Sequence, residues 1–167
     1  KNKLRNDIVA QTLHTTVISV NSDKSVSFTN ASNNELWLTV NSDIRLSAGR
    51  YKLSGCPNGG GDTKYFLRFV VRNAGDTANE ETYFDYGTGT EFEITSTTAG
   101  RKCTCSIYIK SGQATGFTYY PMICDADILV PTYEPYFGST AFPRSEQAVL
   151  GAKNRLPNNA VSQTLYG

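Results

Sequence analysis

Apolar residues in this chain recur at every second position in short runs, the period of a half-buried strand. Residues 15–21 (TTVISVN) and 25–29 (SVSFT) flank the polar stretch NSDK and predict a hairpin. Over 35–40, Leu36, Leu38 and Val40 fall on one face, and Glu35, Trp37 and Thr39 on the other. Ile44 and Leu46 lead into the turn SAGR and a short strand over 51–53. Residues 65–71 (YFLRFVV) are apolar on both faces apart from Arg68, the pattern of a central strand covered on both sides or facing a groove. A polar loop is expected over 73–82, and a hairpin of 83–86 with 91–95 around GTGT. The alternation is clearest over 102–110, and 115–124 reads as one last long strand. Roughly ten short strands at this spacing predict an all-β, antiparallel β-sandwich. No segment supports a long amphipathic helix.

The two ends of the chain resemble each other. Residues 1–14 (KNKLRNDIVAQTLH) align without a gap on 153–166 (KNRLPNNAVSQTLY). Lys, Asn, Leu, Asn, Val, Gln, Thr and Leu are identical at matching places. This predicts a sandwich module over 1–137, a linker over 138–152 with a helical turn at SEQAVLG, and the start of a following tandem repeat over 153–167.

Composition narrows the chemistry. The formal net charge of +1 gives no electrostatic footprint for nucleic acid, and no apolar run reaches membrane-spanning length. Cys103 and Cys105 alternate into Ile107 and Ile109, so they share a face with those isoleucines as small core residues. With Cys56 and Cys124 they are expected to be reduced thiols of a protein folded in a reducing cytosol. The glycine-rich loop CPNGGGDT lacks the Lys-Ser/Thr ending of a phosphate-binding loop and leads into a strand, so a plain loop is expected.

No catalytic constellation emerges. His14 is the single histidine, and Tyr166 replaces it in the second copy. Carboxylates at Asp85, Glu91, Glu93, Asp125, Asp127 and Glu134 are dispersed, and nothing in their spacing brings two together. Binding has better material, because sugars are gripped by aromatic faces and a few fixed polar groups. Trp37, opposite Leu36 and Leu38, is the leading candidate, balanced by packing under a second layer. Tyr108 points away from the Cys103–Ile107 side, and Arg68 offers a donor fork unless it pairs with Asp85 or a glutamate. Tyr83 and Tyr120 are further candidates.

Several stretches in order, LSAGRYKLSGCPNGG, YFLRFVV, YFDYGTGTEFEIT, IYIKSGQATGFTYYPMI and TYEPY, together with GAKNRLPNNAVSQT, resemble modules of tail and other minor structural proteins of phages and prophages of gut Firmicutes. Cys124, Asp125 and Arg5 depart from that pattern. Such modules resemble galactose-binding-like carbohydrate-binding modules. The resemblance implies a jelly-roll-like sandwich, a place in the virion tail and non-catalytic binding of host cell-surface glycan or cell-wall polysaccharide. It allows a structural calcium without assigning ligands; no other cofactor is expected. Other copies of the module or tail proteins are the expected partners, with homo-oligomerisation open and neither nucleic acid nor membrane insertion expected. The alternatives are a ligand-free spacer or assembly domain of a tail fibre or capsid decoration, and a binding module of a secreted bacterial glycoside hydrolase.

Overall fold

A computed structural model describes residues 1–113, 116–128 and 132–136. The expected linker over 138–152 and following repeat over 153–167 lie outside the described residues. The strands run β1 (Gln11–Leu13), β2 (Thr16–Val20), β3 (Val26–Thr29), β4 (Leu36–Ile44), β5 (Gly49–Ser54) and β6 (Tyr65–Arg72). They continue as β7 (Asn79–Asp85), β8 (Thr90–Ile94), β9 (Cys103–Ile109), β10 (Thr118–Tyr119) and β11 (Met122–Asp125).

Their pairing is nested. β6 pairs with β7, β5 with β8, β4 with β9 and β3 with β10, all antiparallel. This is a long two-stranded ribbon rolled up on itself, and it yields the all-β, antiparallel jelly-roll sandwich. One layer has the order β4-β9-β6-β7. The other combines β1-β2-β3-β10 with β11-β5-β8.

Three local features depart from the sequence expectation. The polar loop expected over 73–82 ends early, because β7 begins at Asn79 and pairs with β6 from there. The predicted strand over 115–124 breaks between β10 and β11, where Pro121 supplies no N–H for a ladder. At the break the Tyr120 N–H donates to Gly55 O at 2.8 Å. Gly55 has φ +109, and a Cβ there would lie 1.8 Å from Tyr120 O, so the approach requires glycine. GTGT, predicted as a hairpin turn, is instead a corner at which the chain changes layer: β7 pairs with β6 and β8 with β5.

The core lies between the layers. Leu36, Leu38, Leu67, Phe69, Cys105, Ile107 and Ile109 come from one layer, and Ile18, Val26, Phe28, Leu53, Phe92, Ile94, Tyr119 and Ile123 from the other. Phe69 meets Phe92 across the interface at 4.7 Å between ring centroids. All four cysteines are free and buried. The N-terminal segment seals one side of the roll. Asn2 is buried, accepts from the N–H groups of Leu4 and Ile123, and donates to Pro121 O. Beyond it, Asp7 N–H donates to Val40 O, which a bulge in β4 leaves unpaired with β9.

Asp85, wholly buried at the end of β7, ties the layers together. Its Oδ2 accepts from Cys56 N–H at 2.9 Å, and its Oδ1 accepts from the N–H groups of Gly87 and Gly89, each at 2.8 Å. Three backbone donors satisfy a carboxylate that would otherwise be costly to bury.

Two outcomes follow from this packing. Asp85→Ala strands three backbone donors and should lower the unfolding free energy by about 3–5 kcal/mol in guanidinium denaturation; Asp85→Asn, which keeps one acceptor oxygen, should lose less. Burial also pushes the Cys56 and Cys105 thiols up to about 12 and Cys103 up to about 11, from 9.0. A raised native pKa gives stability that is present in full below the unfolded value and lost as pH rises through the native one. Urea denaturation should therefore show stability falling between about pH 9 and 12, less steeply in Cys105→Ala.

Candidate functional site

The outward face of the β4-β9-β6-β7 layer carries aromatic residues where a solvent-facing sheet would carry polar ones. They arise from strict alternation. Leu36 and Leu38 turn inward on β4 and Trp37 outward; Leu67 and Phe69 turn inward on β6 and Phe66 and Arg68 outward; on β9, Ile107 turns inward and Tyr108 outward. The ladder places Trp37 opposite Tyr108, Tyr108 opposite Phe66, and Arg68 opposite Phe84.

The rings form one continuous stripe across four strands. Trp37 and Tyr108 lie 4.6 Å apart, Tyr108 stacks on Phe66 at 4.6 Å, and Phe66 meets Phe84 edge-on at 5.1 Å. Tyr86 follows, 5.9 Å from Phe84 and nearly parallel to it. The stripe has an underlay and a surface. Phe66 and Tyr108 are 7% and 6% exposed, whereas Trp37 is 46% exposed. Hydroxyls at the flanks are tied to carboxylates: Tyr108 donates to Glu35 Oε1 at 2.9 Å, and Tyr86 donates to Asp62. Burial, followed by the Glu35 bond, raises the Tyr108 pKa; burial and the Asp62 bond push Tyr86 up to about 12.

Arg68 lies over the indole. Its guanidinium carbon is 4.4 Å from the Trp37 ring centroid, a cation–π contact. The buried Nε has no acceptor among the described residues. Burial and then the like charge of Arg72 lower the Arg68 pKa, and no carboxylate offsets them. The expected alternative, an ion pair with Asp85, does not form. Asp85 is the neighbour of Phe84 on β7 and points into the core, the opposite side from Arg68. An exposed indole beside a donor fork with free bonding capacity can stack on an apolar ring face and donate to an oxygen at its edge.

The five residues singled out in the sequence therefore divide. Trp37, Arg68 and Tyr108 meet on this face, although Tyr108 is a covered support and not an exposed platform. Tyr83 turns inward, 5.1 Å from Phe92, with its hydroxyl on Glu81. Tyr120 is 42% exposed beside Tyr133, near the end of β5. Phe66, Phe84, Tyr86, Glu35 and Asp62 belong to the site and were not singled out. Phe66 had a signal, since it shares a face with Arg68 at a spacing of two.

Three of the dispersed acidic residues have structural partners: Asp85 holds backbone amides, Glu91 pairs with Arg50 at 2.8 Å, and Asp125 pairs with Lys3 at 3.1 Å. His14 sits with Thr15 in the tight turn between β1 and β2, both at positive φ. No group of three His, Cys, Asp or Glu side chains that could hold a metal occurs among the described residues.

No protein-family model matches the chain, and no curated protein matches it in sequence. Among solved structures, the chain is similar to a component of a glycosylation-associated protein complex from Streptococcus agalactiae, with a TM-score of 0.52 and 14% sequence identity. The match covers 74% of this chain and 44% of that one, so this chain spans less than half of the length of its structural relative. At that identity the likeness is one of fold.

Trp37 is the single tryptophan, so its fluorescence reports on this face alone. Arg68→Ala should red-shift the emission and increase acrylamide quenching by uncovering the indole. The same substitution should cost no more than about 1 kcal/mol in denaturation, the scale of a half-exposed cation–π contact.

Proposed function

We propose that this chain is a non-catalytic carbohydrate-binding module that stacks a sugar ring on Trp37 and donates to its hydroxyls from Arg68. The observation carrying this reading is a half-exposed indole in contact with Tyr108, Phe66 and a guanidinium that has no carboxylate partner among the described residues. Pyranose rings present a C–H face that stacks on an indole and hydroxyls that need donors at the rim. A rigid platform also helps. Phe66 and Tyr108 fix the indole plane before the ligand arrives, which lowers the ordering cost of binding.

The biological setting is a phage or prophage tail, where the module contacts host cell-surface glycan as one unit of a tandem array; the resemblance of the sequence stretches supports it. Repetition suits weak individual sites, because linked copies gain avidity.

A second reading, a spacer or assembly unit of a fibre, is favoured by the N-terminal segment. Asn2, Leu4 and Asn6, which dock that segment on the roll, recur at 154, 156 and 158. The recurrence supports a string of such domains whether or not each one holds a ligand.

A glycan array of bacterial surface polysaccharides, followed by titration of the strongest hit, separates these readings. Binding is expected in the millimolar to micromolar range, with Trp37→Ala weakening it at least about tenfold and Arg68→Gln weakening it less. Absence of any retained glycan, or a Trp37→Ala variant that binds as well as the parent, overturns the assignment of this face.

A further inference from the structure

Tyr120 belongs to a different part of the molecule from the Trp37 face, and its surroundings have the features of a second site. An open cleft of about 320 Å³ lies against the outer side of the β11-β5-β8 sheet, at the end where β5 runs into Gly55. Lys52 and Ser54 reach it from β5, and Met122 from the facing position on β11. Gly87 and Gly89 form one wall, and Tyr120 and Tyr133 the other. The two rings meet edge-on at 5.1 Å. The Tyr133 hydroxyl donates to Asp23 O at 2.9 Å, which fixes that ring and leaves Tyr120 exposed beside it.

The polar inventory of the cleft is specific. Its lining holds one cation, Lys52, and no carboxylate. The carboxylate opposite Lys52 in the ladder, Glu91, is engaged by Arg50, and Lys52 makes no ion pair among the described residues. The lysine stem passes over Gly89: a Cβ there would sit 2.6 Å from Lys52 Cε and 3.5 Å from Nζ, so glycine leaves the room that the side chain occupies. The buried Ser54 Oγ has no partner among the described residues. The glycine wall is fixed, because Asp85 accepts from the N–H groups of Cys56, Gly87 and Gly89.

An ammonium without an ion pair among the described residues and an exposed aromatic ring around a space of this size define a ligand. It has a negative charge for Lys52 and an apolar ring face for Tyr120. We propose that this cleft binds one acidic sugar residue, a hexuronate or its equivalent, with its carboxylate on Lys52 and its ring against Tyr120. The site is independent of the Trp37 face. A glycan that carries both neutral and acidic residues would have a separate contact for each.

The test is a titration of the isotope-labelled 167-residue chain with D-glucuronate, D-glucose, acetate and glycerol 3-phosphate, followed by amide chemical shifts. Glucuronate should move the Ser54, Gly55, Gly87 and Gly89 resonances in a saturable manner, about two- to fivefold more tightly than glucose, the scale of one exposed charge contact. Lys52→Gln and Tyr120→Ala should each weaken it by a similar factor while leaving the remaining amide spectrum in place. Trp37→Ala should leave it unchanged, so failure of the Trp37 face and failure of this cleft are read separately. Equal binding of glucose and glucuronate overturns the proposal. So does an effect of acetate equal to that of glucuronate, binding of glycerol 3-phosphate without glucuronate, or a Lys52→Gln variant that binds normally.

Discussion

The carboxylate of Asp85 is the contact on which the rest of the architecture depends. A nested roll brings strand ends from different layers together at its rim, and each change of layer leaves backbone donors without a ladder partner. Asp85 sits where the chain leaves β7, and its two oxygens take up the N–H groups of Cys56, Gly87 and Gly89. One side chain thus joins the end of β5 to the corner between β7 and β8. The geometry also explains the glycines: Gly87, at φ +112, lies so close to the 57–58 backbone that a Cβ would be 2.6 Å from Pro57 O and Asn58 Cα. The carboxylate keeps its charge satisfied by dipoles without a buried cation, which avoids desolvating a second ion.

That arrangement has a consequence on the far side of the sheet. Asp85 faces inward and Arg68 outward, so the most obvious counter-ion for Arg68 is spent on backbone amides. The guanidinium is left over the indole of Trp37, in a partly desolvated place with Arg72 as its charged neighbour. Cation–π attraction offsets part of the desolvation, and the remainder is recoverable by a ligand that brings oxygen acceptors. The core is closed by a self-contained carboxylate, while the outer face retains unused polar capacity. The inner face of the sheet thus serves folding, while the outer face keeps polar capacity that folding does not use.

The sequence carried the faces well and the neighbours poorly. Alternation alone separates Leu36 and Leu38 from Trp37, and Cys105 and Ile107 from Tyr108, because the strand period is two whatever the partner strand. It also places the cysteines with the core isoleucines, where they are found free and buried. Which strands pair is a long-range property. GTGT has the local chemistry of a hairpin turn, yet β7 and β8 belong to different layers, and the choice rests on Asp85 and on partners far along the chain. The burial of Tyr108 was hidden for the same reason: Trp37 and Phe66 cover it from two other strands. Tyr83 stood among the binding candidates because no local signal shows that its face of β7 meets Phe92.

The N-terminal echo becomes more informative when its residues are sorted by what they do. Asn2 binds both sides of β11 and Leu4 is buried, and both recur at 154 and 156. Arg5 and Asp7, which pair with each other on the surface, change together to Pro157 and Asn159. The exchange of Arg5 for proline removes no backbone bond, since the donors used in this segment are those of Lys3, Leu4, Asp7 and Ile8. Asparagine in place of Asp7 keeps an acceptor for Asn41, which now donates to the Asp7 carboxylate. The docking residues Asn2, Leu4 and Asn6 are thus identical in the second copy, whereas the surface pair Arg5 and Asp7 changes and the buried Ile8 gives way to Ala160. That is the pattern expected if both copies encode one docking mode on one kind of roll.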